Sequence, residues 1–238
     1  DSTNQAARDL AEDGAPAGSV VVCREQTAGH GRAGHAWYSP KDSGLYLSLI
    51  LRPDDLSHPA MITILAGLGV VERLDSGFRG LSPGLKWPND LLWHYRKLGG
   101  ILIEVQGDVM GPSFAVIGIG INLQLSGTVR AEIDQSVTDL NEICGTQIDR
   151  NLLLAALLIH LDDVMQDFEQ SGLTRLRTEW LAAHAYQDKP VRVLLANGND
   201  QLGTAIGVSA DGALLLQTPS GQQLTLNGGE VHLTRWLS

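Results

Sequence analysis

The sequence predicts an α/β (α+β) fold: a central mixed sheet with flanking helices, followed by a small β-barrel. Three observations carry that expectation. Helix-spaced and strand-like apolar patterns alternate through residues 1–186, and two of the strands are nearly continuous apolar runs, as strands covered on both faces are. From Lys189 the texture changes to short β-rich runs parted by turn signals, so residues 187–238 form the second unit. Finally, 238 residues that are 43% hydrophobic and 18% charged supply enough apolar material for a large and a small unit, which excludes a disordered chain.

Taken in order, Ser2 caps a helix running to Gly14, with Gln5 completing a capping box. Val20 to Cys23 is a short β-branched strand, and Leu45 to Leu51 is a second, ended by Arg52-Pro53. Pro59 to Leu74 carries apolar residues at 61, 62, 64, 65, 68, 71 and 74, one face of a helix. Leu85 to Trp93 holds Pro88 in its middle, which argues for a bend or strand edge presenting Lys86, Asn89 and Asp90 on a rigid turn. Lys97-Leu98-Gly99-Gly100 leads into the strand Ile101 to Val105, and Phe114 to Ile121 is another. Residues 126–150 read as a loop with a short helix; Asn151 to Ser171, closed by Gly172, and Leu173 to His184 read as helices. Five strands follow: Val191 to Ala196, Leu202 to Val208, Ala213 to Thr218, Gln223 to Leu226 and Val231 to Trp236.

Several function classes are disfavoured by composition. A net charge of -10 and a pI near 5.0 argue against a nucleic-acid-binding surface over the whole chain. Cys23 and Cys144 lie far apart in apolar contexts, as buried thiols in a reducing compartment would. The seven histidines make no HExxH or Cys/His cluster, so no structural zinc is expected. No apolar stretch is long enough to span a membrane and no signal peptide opens the chain, so a cytoplasmic location is expected. The chain begins on Asp1, so either an upstream segment has been removed or the numbering starts inside a longer protein.

The stretch Glu25 to Pro40, EQTAGHGRAGHAWYSP, is unlike ordinary folding material. Its glycines at 29, 31 and 34 surround Arg32, His30 and His35 and close on Trp37, which suits either an anion-cradling loop or a plain surface loop. Two further segments, 86–100 and 118–122, also join or end predicted strands, so the three are expected to share one pocket. Together they hold Arg32, Lys86, Lys97, Asn89, Asp90, Asn122 and several glycines, an inventory suited to phosphate. No Walker motif is present, so a nucleotide would be held by an unusual loop.

These pieces resemble the biotin protein ligases. The matching segments are Ser2-Thr3-Asn4, Gln26 with Gly29-His30-Gly31-Arg32-Ala33-Gly34 and Trp37, SPxxxGLYLSLILRP, KWPND at 86–90, KLGGILIE at 97–104 and GIGIN at 118–122. They come in family order and cover almost the whole chain. The resemblance implies a class II synthetase-like catalytic domain with an SH3-like C-terminal β-barrel. It also implies a two-step reaction: biotin and ATP give biotinyl-5'-AMP, and the biotinyl group then passes to a lysine of a biotin carboxyl carrier protein. ATP and magnesium are the implied cofactors. A homodimer is one implied assembly state; neither a membrane nor a nucleic acid is expected as a partner of this chain.

By the same resemblance, Ser2, Thr3, Asn4, Gln26, His30, Gly31, Arg32, Lys97, Gly99, Gly100 and Gly118 would hold biotin. Arg32, His35, Trp37, Lys86, Asn89 and Asn122 would hold the nucleotide. Lys97, Arg32, Lys86 and Asp90 would be catalytic, Asp90 lying near magnesium or the incoming lysine. One departure stands out: the family loop usually reads GRGRxGR, and here it is GHGRAGH. If His30 faces phosphate, its protonation near pH ~6.5 would raise nucleotide affinity below neutral pH, whereas His35 is expected to look outward. Two other readings stay open: a lipoate or octanoate ligase, against which KWPND and GHGRAGHAW count, and a biotinyl-AMP-responsive regulator if a DNA-binding segment lies upstream.

Overall fold

The computed structural model describes residues 1–52, 59–78, 80–107, 113–171 and 173–234. Helix α1 (Thr3–Glu12) opens the chain, followed by strand β1 (Val20–Cys23), a 3-10 turn at Arg32–Gly34 and strand β2 (Gly44–Leu51). Helix α2 (Pro59–Gly77) leads to strands β3 (Gly84–Lys86), β4 (Asp90–Trp93), β5 (Arg96–Gln106) and β6 (Phe114–Asn122). Two short helices, α3 (Gly127–Glu132) and α4 (Leu140–Cys144), precede the long α5 (Arg150–Ser171) and α6 (Leu173–Ala183). Strands β7 (Pro190–Leu194), β8 (Asp200–Val208), β9 (Leu214–Gln217), β10 (Gln223–Leu226) and β11 (Glu230–Leu233) complete it. The expected breaks at Pro53 and Gly172, and the end of the last strand at Trp236, lie outside the described residues.

The first six strands form one sheet in the order β1-β2-β6-β5-β4-β3. Sheet and flanking helices are as predicted, but every strand pairing is antiparallel rather than mixed. For β3, β4 and β5 the cause is connection length, since tight turns join them, which only antiparallel neighbours allow. Lys97 to Gly100, expected as a lead-in loop, lies inside β5.

Helix α2 is buried on more than its predicted face. Ile62, Ile64, Ala66, Val70, Val71 and Leu74 join the main core against the sheet, while Leu65 and Leu68 pack with Val164 and Leu176 of α5 and α6. On the other side of the sheet, Ala7 and Ala11 of α1 pack on Ile50, Phe114 and Val116. Ser2 Oγ accepts from Gln5 N at 3.1 Å, as a cap should, but Gln5 turns its own amide to Asp9 at 2.8 Å, so the capping box is half made.

The five C-terminal strands form an antiparallel sheet, order β10-β9-β8-β7-β11, open between its two edge strands rather than closed into a barrel. Its apolar face, including Val191, Val193, Ala205 and Leu214, merges with the main core through Trp180 and Tyr186. Trp87, buried to 2% exposure, donates its indole N–H to Gly212 O at 3.0 Å and ties the β3–β4 turn to this second sheet.

Candidate functional site

The GIGIN run of β6 alternates with a period of two. Ile117, Ile119 and Ile121 enter the helix-side core, so Gly118 and Gly120 lie on the opposite face. Cross-strand partners share a face, and two rows follow from the register: Tyr46, Gly120, Gly100, Asp90 and Lys86, then Ser48, Gly118 and Leu102. The glycines keep the middle of this floor flat. A Cβ on Gly120 would sit 2.7 Å from the Trp37 ring, and one on Gly118 would sit 2.1 Å from Asn4 Oδ1.

At one end of the floor the first turn of α1 meets β2 in a polar cluster. Ser48, fully buried, lies 2.6 Å from Asn4 Oδ1 and 2.8 Å from Thr3 Oγ1. Asn4 Nδ2 donates to Glu104 Oε2 at 2.7 Å. Thr3 N donates to Gln26 Oε1 at 2.8 Å, and Gln26 Nε2 donates to Ser39 Oγ at 2.8 Å. Such a cluster suits a ligand end group with its own N–H and C=O groups.

At the other end lies charge. Asp90, 8% exposed, has Lys97 Nζ 2.7 Å from Oδ1 and Lys86 Nζ 3.3 Å from Oδ2. Lys97 reaches this face because of a bulge. The register runs Leu91 to Gly99 but then Leu92 to Lys97, so Leu98 is extra and plain alternation from Gly100 is broken. Lys97 Nζ also stands 5.4 Å over the Trp37 ring. Burial lowers the pKa of Arg32 from its ordinary value, and the charge of Asp90 partly offsets that; an arginine stays protonated all the same. Among the described residues Arg32 makes no ion pair or side-chain hydrogen bond. The Tyr186 hydroxyl is pushed up by burial first and then by Asp90.

The glycine-rich loop is tied down as well as glycine-rich. Gly31 N bonds His35 O at 2.8 Å and Trp37 N bonds Gly29 O at 2.9 Å, with His30 opposite Ala36. Ala33 and Gly34 turn the chain at φ 53° and 77°. His30 Nε2 lies 3.7 Å from Glu104 Oε1, at the polar end of the floor. The Lys97 side chain runs to Gly100 and Asp90, four residues and about 13 Å of strand before Glu104, so His30 stands at the polar end rather than beside the Lys97 ammonium. The pH-dependent nucleotide affinity expected from His30 would therefore act from the polar end of the shared cavity. His35 is exposed, as expected.

All three predicted segments open onto one cavity of about 940 Å³. Ser2, Thr3, Asn4, Gln26, His30, Gly31, Arg32, His35 and Trp37 line it, with Lys86, Asn89, Asp90, Lys97, Gly100 and Gly118. Gly99 and Asn122 do not. A Cβ on Gly99 would press on Gly120 O at 2.5 Å, and Asn122 donates to Thr138 O at 3.0 Å, which bonds it to the 136–138 segment. Asn89 lines the wall but gives its amide N–H to Ile101 O at 2.7 Å.

Sequence reasoning passed over other lining groups. Tyr46 and Tyr95 sit in strands or turns with no local chemical signal, and Leu194 to Ala196 and Gly229 to His232 reach the cavity from the second sheet. Among the described residues no three His, Cys, Asp or Glu side chains cluster as metal ligands. Asp90, the expected magnesium ligand, gives both oxygens to lysines, so the residues present do not fit a resident metal site.

Comparison with known proteins agrees with this geometry. Residues 1–122 match the biotin/lipoate A/B protein ligase family, and residues 188–233 match the biotin protein ligase C terminal domain. The chain is 34% identical to the bifunctional ligase/repressor BirA of Bacillus subtilis, over 92% of this chain and 68% of that protein. It is 31% identical to the biotin--[acetyl-CoA-carboxylase] ligase of Paracoccus denitrificans, over 94% of each. Among solved structures, the biotin protein ligase of Aquifex aeolicus in complex with biotin and ATP superimposes with a TM-score of 0.83 at 28% identity, covering 99% of this chain and 95% of that one.

Proposed function

Since the chain belongs to the biotin/lipoate A/B protein ligase family, we propose that it is a biotin–protein ligase: it activates biotin with ATP as biotinyl-5'-AMP and transfers the biotinyl group to a lysine of a carboxylase carrier protein. The single observation that supports this most is the division of one cavity into a hydrogen-bonding end and a cationic end on a glycine floor.

In the first step a biotin carboxylate oxygen attacks the α-phosphorus of ATP. The bond from that phosphorus to the bridging oxygen breaks, and pyrophosphate leaves. Two anions must meet, so catalysis consists mainly of alignment and of cations placed where charge builds. Lys97 and Arg32 serve the carboxylate and α-phosphoryl oxygens, and Lys86 stands near the phosphates. Asp90 bridges the two lysines, one on each carboxylate oxygen, and keeps both ammonium groups aimed at the site. Trp37 walls the adenylate. In the second step the neutral amine of the acceptor lysine attacks the acyl carbon, AMP leaves with its oxygen, and the amine loses a proton. No step is assigned to a protein-bound magnesium. We place the boundary between catalytic and C-terminal units at 186/187 and the protein's work in the cytoplasm. The acceptor is a biotin carboxyl carrier protein.

Biotin-dependent exchange of pyrophosphate with ATP tests the reading, because it needs the first step alone. Exchange with biotin and none with lipoic acid is the expected result; exchange supported by lipoic or octanoic acid instead would overturn it.

A further inference from the structure

A buried asparagine can present either end of its amide, and its neighbours decide which. At Asn4 that neighbour is Glu104, whose Oε2 lies 2.7 Å from Nδ2. A carboxylate only accepts, so the amide nitrogen must face Glu104 and Oδ1 must face the floor, 2.6 Å from Ser48 Oγ. Gly118 leaves the room, since a Cβ there would fall 2.1 Å from Oδ1. The other oxygen of Glu104 is met by Arg8 NH1 at 3.3 Å and His30 Nε2 at 3.7 Å. One carboxylate thereby joins α1, β5 and the glycine-rich loop, yet Glu104 is not among the residues lining the cavity.

We infer that Glu104 is a positioning residue for the ureido group of biotin, fixing Asn4 with its oxygen toward the ligand as the acceptor for a ring N–H. The inference rests on the biotin reading of the cavity. Without the carboxylate, the amide can turn its nitrogen inward, setting one N–H against another. The half-exposed Arg8 and His30 pairs matter less, because such pairs are screened by water.

The test is a double-mutant cycle read by biotin-dependent pyrophosphate exchange. Glu104→Ala is expected to raise KM for biotin by roughly tenfold or more, the worth of an oriented buried hydrogen bond, while kcat at saturating biotin stays within about threefold. Asn4→Ala should cost about as much, and the double variant no more than either alone, because Glu104 acts through Asn4. Arg8→Ala, which breaks only the outer ion pair, should leave KM unchanged. Should Glu104→Ala fail to fold, the exchanged pair carries the same test: Asn4→Asp alone sets two carboxylates together, and adding Glu104→Gln restores an amide–carboxylate contact in which the new carboxylate on α1 still offers the ligand an acceptor. Recovery of KM in the exchanged pair supports the inference, and no recovery overturns it. Additive penalties in the double alanine variant, or an unchanged KM in Glu104→Ala, also overturn it. Absence of biotin-dependent exchange in the unmutated protein is a different failure, that of the biotin reading itself, and takes the inference with it.

Discussion

Replacing Gly118 by alanine should weaken biotin binding while the fold survives. The new methyl would stand 2.1 Å from Asn4 Oδ1 and 2.9 Å from its Cγ. Ordinary contact needs about 3.4 Å, so the amide must move by roughly 1.3 Å. The displaced atoms are the end of a side chain, so α1 and the sheet can stay where they are. That shift breaks the 2.6 Å contact with Ser48 and the 2.7 Å bond to Glu104. At about 1–2 kcal/mol each, their combined loss is about 2–4 kcal/mol. Those contacts lie within the protein, so their loss appears as unfolding free energy, while biotin affinity falls by what the misaimed amide no longer gives the ligand, roughly tenfold or more. The strand backbone itself tolerates alanine, since Gly118 is not at positive φ, so the fold survives and the melting temperature should fall by only several degrees, the share those two contacts hold. The assay pairs titration calorimetry of biotin with a thermal melt. A variant that folds and binds biotin within threefold of the parent would refute the placement of Asn4 at the ligand.

Other changes have equally direct outcomes. Lys97→Ala should lower biotin-dependent pyrophosphate exchange by roughly 10²-fold or more while the fold persists, because Lys86 at 3.3 Å still pairs with Asp90; near-normal exchange would contradict the role. Arg32→Gly should weaken retention of the adenylate, seen as faster biotinylation of free amines, since it removes an otherwise uncommitted guanidinium and frees the loop. His184, stacked on Trp180 with ring centroids 4.5 Å apart, has its pKa pushed down to about 4 by burial from an ordinary 6.5. A depressed base is neutral in the fold, so stability is full above pH 6.5 and falls as the unfolded chain takes up the proton, reaching a loss of roughly 2 kcal/mol by pH 5; urea unfolding of the parent and His184→Phe at pH 7.5 and 5 should show that difference shrink in the variant. Trp87→Phe should cost about 1–3 kcal/mol of unfolding free energy by leaving Gly212 O without its buried donor.

What was legible in the sequence follows from the range of the signals. Helix caps, turn residues and apolar runs are local, so α1, β1, β2, α5 and the C-terminal strands appear close to their predicted limits. The glycine-rich loop, KWPND and GIGIN were legible as unusual chemistry, and they do meet in one cavity. Their partners were not, because Ser48, Tyr46 and Glu104 are ordinary strand residues made special only by register. Ser48 belongs to the site through its pairing with Gly118, and Glu104 through its distance from an asparagine 100 positions earlier. The bulge at Leu98 was equally silent, since nothing in the run Lys97 to Gly100 says that one residue goes unpaired. Trp87 gives the same lesson in reverse: a residue inside the KWPND motif is an anchor for the second sheet.

Register also bears on which acid the site selects. Ser48 and Asp90 are three strand spacings and one two-residue step apart, roughly 14 Å across and 7 Å along, or about 16 Å between backbones. Side chains reaching inward from both ends shorten that to the length of a ring system carrying a five-carbon acid. Lipoic acid shares that length, so length alone does not separate the two ligases, and the cationic end sees the same carboxylate in both. Discrimination must therefore come from the polar end, where an apolar dithiolane would leave the cavity-lining Asn4, Thr3 and Gln26 buried against carbon and without their lost water. A site built to satisfy a ligand's own N–H and C=O groups rejects an analogue lacking them more sharply than an apolar pocket rejects a misfit. On the proposed reading it is this end, and not the phosphate loop, that selects biotin over lipoic acid.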